Sequence, residues 1–80
     1  MDKLRPPFPA RYRVEHHAED LAPLILGLYL RERAARAAFQ IMFTRHRVAG
    51  RSGWIVLIDQ GANPEQELRR RPLPMPTAIN

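Results

Sequence analysis

Hydrophobic residues first recur at every second position, in residues 11–17. Tyr12 and Val14 alternate there with charged residues and lead into the pair His16-His17. Successive residues of a strand point to opposite faces, so this period predicts a half-buried strand with Tyr12 and Val14 facing inward. The same geometry separates His16 from His17, which argues against their binding one metal ion.

Helical spacing replaces this alternation in residues 20–38. Asp20 is a good N-cap residue, and Pro23 falls in the first turn, where its missing N–H costs no hydrogen bond. Leucines and alanines form a broad apolar face beside a polar stripe at positions i, i+3, i+4 and i+7. That stripe comprises Tyr29, Glu32, Arg33 and Arg36. We predict one long helix over residues 20–38.

Alternation returns in residues 39–60 and predicts a β-hairpin. Its strands cover residues 39–48 and 53–60, and Gly50 can take the first central position of a type II′ turn. One face then carries Phe39, Ile41, Phe43, Trp54, Val56 and Ile58. We expect this face to pack against the long helix.

Connection rules predict the arrangement of the strands. A strand–helix–strand crossover makes the first two strands parallel, and the hairpin makes the third antiparallel to the second. Placing the third strand in the centre makes every neighbouring pair antiparallel. The apolar run 54–58 suits a central strand, whereas Arg45 and Arg47 suit a charged edge. The prediction is an α+β fold, β-α-β-β, with a three-stranded antiparallel sheet in the order 1-3-2 and the helix on one face.

The remaining segments are predicted from their prolines. Asn63, Pro64 and Glu65 read as the start of a short C-terminal helix over residues 64–71. Residues 1–10 form a Pro-rich N-terminal arm, and residues 72–80 form a Pro-rich tail. A single α+β domain over residues 11–71 lies between them.

Length and composition limit the class of protein. Eighty residues make one small domain near the lower limit of independent stability, either a monomer or a weak homodimer. The chain has no cysteine, which excludes a disulfide framework and fits a reducing compartment. The longest apolar run, residues 21–30, is too short to span a bilayer, and the first residues lack the apolar part of a signal peptide. We predict a cytoplasmic, soluble protein without a membrane partner.

Net charge favours an acidic partner. The chain carries a formal charge of +5, and 12 of its 13 basic residues are arginine. Such a balance suits nucleic acid or an acidic protein face. A GC-rich genome would give the same arginine excess without selection for binding, and this alternative stays open.

A cluster of basic residues is the first candidate binding surface. It comprises Arg31, Arg33, Arg36, Arg45, His46, Arg47, Arg51 and Trp54. Arginine binds phosphate and carboxylate through paired hydrogen bonds, and an indole can stack on a base or on a guanidinium. The alternative is a solvated edge that discourages aggregation, with Trp54 in the core.

A catalytic role for His46 is a further hypothesis. Its basic flanks resemble in composition the sites of small RNA-cleaving toxins. General acid–base cleavage needs a second titrating group, for which Glu32 or Asp59 can be named although no spacing requires either. No cofactor, metal or phosphate-loop motif is present in the sequence.

The chain also resembles a class of small proteins in its size, its strand–helix–hairpin plan and its lack of enzyme motifs. These are the accessory proteins of phages and other mobile elements, of which anti-CRISPR inhibitors are the best-known group. The resemblance implies stoichiometric binding to a host protein or nucleoprotein complex, and it assigns a role to no residue. The favoured hypothesis is therefore a non-enzymatic inhibitor that binds an acidic face through its Arg-rich surface and blocks nucleic-acid binding. The alternatives are a small basic nucleic-acid-binding protein and a toxin-like ribonuclease using His46.

Overall fold

The structure, a computed structural model, describes residues 10–74. The predictions for residues 1–9 and 75–80, which cover most of the Pro-rich arm and tail, lie outside that range. The elements in chain order are β1 (Tyr12–His17), β2 (Leu24–Tyr29), α1 (Glu32–Val48), β3 (Trp54–Asp59) and β4 (Gln66–Pro72). The strands form one antiparallel sheet in the order β2-β1-β3-β4. Within residues 10–74, no helix has the length and apolar character needed to cross a membrane.

The core lies between α1 and one face of the sheet. Alternate residues of the two central strands point toward α1, among them Val14 and its cross-strand partner Leu57. From the helix, Ala35, Phe39 and Phe43 follow at intervals of four residues, the spacing of one helix face. The core side chains are Tyr12, Val14, Ala35, Phe39, Phe43, Ile55, Leu57 and Leu73. Burying each large apolar side chain contributes roughly 1.5–3 kcal/mol to stability.

The helix lies later in the chain than the sequence predicted. Residues 39–48, predicted as a strand, are helical, and residues 20–31, predicted as helix, are not. Ala35, Phe39 and Phe43 lead to His46 one turn later, so the buried positions keep the helical period. At the helix end, Gly50 has φ 73°, and its N–H donates to the Arg47 carbonyl. The Arg51 N–H donates to the carbonyl of His46, which completes a Schellman motif.

Residues 24–29 form an edge strand instead of the middle of a helix. Asp20 has φ 66°, the left-handed region, and does not cap a helix. The Tyr29 ring lies over Gly27, so a Cβ added to Gly27 would overlap the Tyr29 hydroxyl group. The register with β1 skips Leu26, which forms a bulge and packs on the core.

The predicted sheet order 1-3-2 is wrong because two of the four strands were assigned to helices. Residues 66–72 form β4, not the second half of a short C-terminal helix, and residues 24–29 form β2. Two parts of the prediction are confirmed. Tyr12 and Val14 are buried on the first strand, and that strand pairs antiparallel with Trp54–Asp59 in the centre of the sheet.

Candidate functional site

Arginine is concentrated on one side of the molecule, where α1 meets β4. Arg71 Nη1 donates to Gln40 Oε1 at 3.3 Å, so the Gln40 side of the helix is turned toward β4. Helix positions four and seven residues from Gln40 share its side. Three of those four positions hold arginine and the fourth holds Thr44, and two further arginines come from β4. We call this surface the basic flank: Arg33, Arg36, Arg47, Arg69 and Arg71.

The two β4 arginines of the basic flank lie over buried aromatic rings. The Arg69 guanidinium carbon is 5.2 Å from the centre of the Phe39 ring, and that of Arg71 is 4.0 Å from the Phe43 ring. Each cation–π contact is worth about 0.5–2 kcal/mol, depending on exposure. Because both rings belong to the core, these contacts favour one position for each guanidinium group, at the junction of helix and strand.

Carboxylates neutralise little of the basic flank. Arg36 pairs with Glu32 at 2.7 Å across one helical turn, an exposed pair worth about 0.3–0.5 kcal/mol. Among the described residues, Arg33, Arg47 and the two β4 arginines have no carboxylate within ion-pair distance. The carboxylates that do bind arginine are mostly elsewhere: Asp59 binds Arg11, Glu15 and Glu65 bind Arg13, and Glu67 binds Arg70.

Asp59 and Glu67 already bind arginines outside the basic flank. A paired hydrogen bond from Arg11 lowers the pKa of Asp59. The hydrogen bond from Arg70 lowers the pKa of Glu67 in the same way. Because these carboxylates are ionised and occupied, they are not available to neutralise the basic flank.

The structure separates the predicted surface residues into several groups. Arg33, Arg36 and Arg47 lie on the basic flank. Arg31 and Arg45 are exposed on the opposite side of α1, and Arg51 is exposed in the loop that follows the helix. Trp54 lies on the sheet face that points away from α1, where it stacks on His17 at 5.6 Å and lies under Arg70. The structure therefore does not bring Trp54 together with Arg45 and Arg47.

His46 lies inside the molecule. It is 8% exposed, and its Nδ1 donates to the Met42 carbonyl oxygen at 2.9 Å. Burial lowers the pKa of its imidazole. The suggested catalytic partners are bound elsewhere, since Glu32 accepts from Arg36 and Asp59 from Arg11. The geometry therefore joins His46 to neither carboxylate.

The sheet face opposite α1 carries a polar network. Arg13 donates to Glu15, Glu65 and Gln60, and Glu15 also bonds His17 Nε2 at 2.7 Å. The hydrogen bond to Glu65 raises the pKa of Arg13. This network pairs its one arginine with two carboxylates, so it offers less to an acidic partner than the basic flank does.

The two neighbouring histidines point to opposite faces, as the strand period predicted. His16 faces α1, with its ring 4.8 Å from that of His46, whereas His17 lies in the polar network. Residues 10–74 contain no group of three or more His, Asp or Glu side chains placed to hold a metal ion.

An open cleft of about 600 Å³ lies at the end of the sheet near Trp54. Glu19 and Asp20 form part of its lining, together with Ser52 and Leu73. Two carboxylates make the cleft unfavourable for an anionic ligand. The cleft is therefore separate in chemistry from the basic flank.

Comparison with known proteins adds no relative. The chain matches no protein-family model, no curated protein and no solved structure. A function for the basic flank therefore has to be inferred from its geometry and charge.

Sequence reasoning missed the two β4 arginines as site residues because it assigned them to a helix. Arg69 and Arg71 are two residues apart, which is the spacing of one strand face. The core rings that support them, Phe39 and Phe43, are four residues apart, which is the spacing of one helix face. Those two spacings were the available signal for a strand of arginines lying along a helix.

Proposed function

We propose that this protein is a non-enzymatic binding module that docks its basic flank against an acidic face of a partner protein or nucleoprotein complex. Docking there would block the partner's binding of nucleic acid. The observation that carries the proposal is the pair Arg69 and Arg71, which lie over core rings and have no carboxylate partner in the described chain. Grouped like charges repel one another, and an acidic partner relieves that repulsion.

The guanidinium groups of Arg69 and Arg71 are suited to bind a surface that carries carboxylates. Each guanidinium has five N–H donors in a planar fork that matches a carboxylate. A side chain already held on a ring loses less conformational freedom when it binds, so more of the contact energy appears as affinity. Arginine is also enriched among the residues that dominate protein–protein binding.

The biological setting belongs to the same proposal. The resemblance to small accessory proteins of mobile elements supports an inhibitor of the anti-CRISPR type. The absence of cysteine from the chain supports action in the cytoplasm, where thiols stay reduced.

Direct binding of nucleic acid is the second candidate function. Arg33, Arg36 and Arg47 lie along one side of α1 and span about 21 Å, from the 1.5 Å rise per residue. Such a row suits a phosphate backbone. Phe39 and Phe43 are covered by arginines and by the core, so they offer no surface for stacking bases. Binding of this kind would depend on charge and would weaken steeply with added salt.

Capture from a bacterial lysate tests the first candidate. Three immobilised proteins are compared: wild type, Arg69→Gln/Arg71→Gln, and the control Arg31→Gln/Arg45→Gln. The control removes the same charge from the opposite side of α1. We expect wild type and control to capture the same protein and the flank variant to retain at least about tenfold less, equivalent to about 1.4 kcal/mol. Equal capture by all three proteins would refute the role of the basic flank.

Binding to random-sequence duplex DNA and RNA separates the two candidates. If phosphate contacts dominate, the logarithm of the binding constant falls linearly with the logarithm of salt concentration, and the flank variant loses about two in slope. Capture of a partner from nuclease-treated lysate, with no measurable DNA or RNA binding at physiological salt, would exclude the second candidate.

A further inference from the structure

The edge strand β2 exposes apolar side chains on both faces of the sheet. Leu24, which pairs with His16, lies on the side of α1, whereas Ile25 and Leu28 lie on the opposite side. Each of these three side chains is more than half exposed, at 54%, 55% and 54%. The strand contains no charged residue and no proline, and no strand of residues 10–74 lies beyond it. An uncharged edge of this kind is a template for pairing with another strand.

Apolar surface continues beyond the strand itself. Leu30 follows β2 and is 52% exposed. On the side of α1 that is turned away from β4, Ala34 and Ile41 are exposed as well. Arg31 and Arg45 lie on the same side of the helix. We call this surface the apolar flank: Leu24, Ile25, Leu28, Leu30, Ala34 and Ile41. Contiguous exposed apolar surface of this kind marks an interaction site more often than scattered single residues do.

The uncharged edge of β2 favours a second copy of the chain as the occupant. The protein carries a net charge of +5, so two copies repel each other at most approaches. Pairing through β2 brings together the edge strand that has no charge and keeps both basic flanks far apart, and the arginines beside this contact are Arg31 and Arg45 on the same side of α1. A strand paired antiparallel with its own copy also continues a sheet that is already antiparallel throughout. The same residues then meet on both sides, as a two-fold interface requires.

We propose that β2 pairs antiparallel with β2 of a second copy, so that the two sheets become one sheet of eight strands (four from each copy). The strand order is then β4-β3-β1-β2-β2-β1-β3-β4, with one basic flank at each outer edge. Leu24, Ile25 and Leu28 cover their counterparts on the two faces. This proposal does not depend on the function proposed above, although a dimer would make that function bivalent.

The size of the apolar flank implies a weak dimer. Specific interfaces usually bury about 800 Å² per partner, and a six-residue strand with a few neighbouring side chains lies at the low end of that range. We therefore expect a dissociation constant on the order of micromolar, with monomer and dimer both present during purification.

Sedimentation velocity of the full chain tests the dimer. Wild type is compared with Leu28→Lys and with the control Gln66→Lys, which adds the same charge at an exposed position on β4, the other edge of the sheet. We expect wild type and Gln66→Lys to dimerise as concentration rises over about a 100-fold range around micromolar, and Leu28→Lys to stay monomeric. A wild type that is monomeric throughout, or a Leu28→Lys protein that dimerises like wild type, would overturn the proposal.

Cysteine scanning gives a second test that does not depend on a charged substitution. The natural chain has no cysteine, so single substitutions at Leu24, Ile25 and Leu28 report on β2 alone. Under mild oxidation we expect at least one of them to form a disulfide-linked dimer, because a disulfide needs Cα atoms about 4.4–6.8 Å apart. The control Gln66→Cys, on the other edge of the sheet, should not cross-link efficiently. Equal cross-linking of all four variants, or of none, would contradict pairing through β2.

The variant Arg69→Gln/Arg71→Gln distinguishes this proposal from the binding function. It should dimerise like wild type, whatever its ability to capture a partner. Loss of the dimer in this variant, with the dimer kept in Leu28→Lys, would place the self-contact on the basic flank and refute pairing through β2.

Discussion

The two edges of the sheet share a backbone plan and differ in charge. Each edge strand contains one bulge, at Leu26 in β2 and at Leu68 in β4, and each bulged leucine packs on the core. Outward from the core, β2 is uncharged, whereas β4 carries Glu67 and three consecutive arginines and ends at Pro72. Packing on the core is therefore similar for β2 and β4 and does not explain why their exposed residues differ in charge.

The comparison shows which edge is closed and which is open to pairing. Charge and proline are the usual means of preventing a sheet edge from pairing with another chain, and β4 has both. β2 has neither, although its bulge is the same. We infer that β4 presents side chains to a partner while β2 presents its backbone and apolar side chains to a copy of itself.

The largest expected effect on stability comes from Phe39, which belongs to the core and also supports the basic flank. Phe39 is almost fully buried and also lies under Arg69. We expect Phe39→Ala to lower the free energy of unfolding by about 3–5 kcal/mol, because it leaves a cavity in the core. Chemical denaturation measures this loss, and a change below about 1 kcal/mol would mean that Phe39 is not part of the core.

The variant Phe39→Leu is the matched control for the ring. It keeps most of the apolar volume but removes the aromatic face beneath Arg69. We expect a smaller loss of stability than for Phe39→Ala, together with weaker capture of the partner of the basic flank. Unchanged capture by a folded Phe39→Leu protein would show that the ring does not fix Arg69 for binding.

The next effect tests whether β2 is fixed on its inner side. Gly27→Ala places a methyl group against the Tyr29 ring, and we expect it to cost about 1–3 kcal/mol through overpacking. In a Tyr29→Ala background the same substitution should cost much less, which a double-mutant cycle measures. Equal costs in both backgrounds would mean that Tyr29 does not lie over Gly27.

Replacing the exposed ion pair of β4 by leucines should change folding stability less than the substitutions in the core and in β2. Glu67→Leu/Arg70→Leu removes an exposed ion pair from β4 and leaves neither partner unpaired. We expect the free energy of unfolding to change by less than about 1 kcal/mol. In a Leu28→Lys background this variant should stay monomeric in sedimentation, because Arg69, Arg71 and Pro72 still close the β4 edge. Self-association through β4 would show that these three residues are insufficient to close an edge.

The smallest expected effect is the pH dependence of stability that His46 causes, and it should not change the binding behaviour of either sheet edge. Burial lowers the pKa of His46 below its ordinary value of 6.5, with His16 and Arg51 adding to the shift. Above pH 6.5 His46 is neutral in both states, so its contribution is fully present. As pH falls below 6.5, the unfolded chain takes up the proton first, and the folded state loses stability. The lowered pKa values of Asp59 and Glu65 place the carboxylate contributions at lower pH.

The variant His46→Gln should remove the part of the pH dependence that lies just below pH 6.5. Thermal unfolding at a series of pH values measures it, and both edges should keep their binding behaviour in the folded protein. A wild-type melting temperature that rises as pH falls from 6.5 would contradict the burial of a neutral His46.

Sequence reasoning identified the central strands better than the edges. The alternation of Tyr12 and Val14 is the period of a strand. The apolar run of β3 is short, rich in β-branched residues and flanked by Gly53 and Gly61, which favours a strand over a buried helix. In contrast, Phe39, Ile41 and Phe43 fit alternation, while Ala35, Phe39 and Phe43 fit the helix. Four nearby alanines and the Gly50 C-cap favour the helix, and tertiary contact with β1 and β3 decides it.

The edges were harder because their partners are distant in sequence. β2 is apolar and flanked by Asp20 and Pro23, residues that also begin helices, so only pairing with β1 distinguishes it. The arginines of β4 read as the end of a helix until β3 is known to lie beside them. Three of the five arginines of the basic flank, Arg33, Arg36 and Arg47, were named from the sequence, but Arg69 and Arg71 required the fold.

The central claim, that the two edges bind separate partners, is tested most directly by one sedimentation-velocity experiment. Wild type, Leu28→Lys and Arg69→Gln/Arg71→Gln are each run with and without a labelled polyglutamate peptide as the acidic probe. We predict a dimer that binds the probe for wild type, a monomer that binds it for Leu28→Lys, and a dimer that does not bind it for the arginine variant. Loss of probe binding in folded Leu28→Lys, or a monomeric arginine variant, would contradict separate edges.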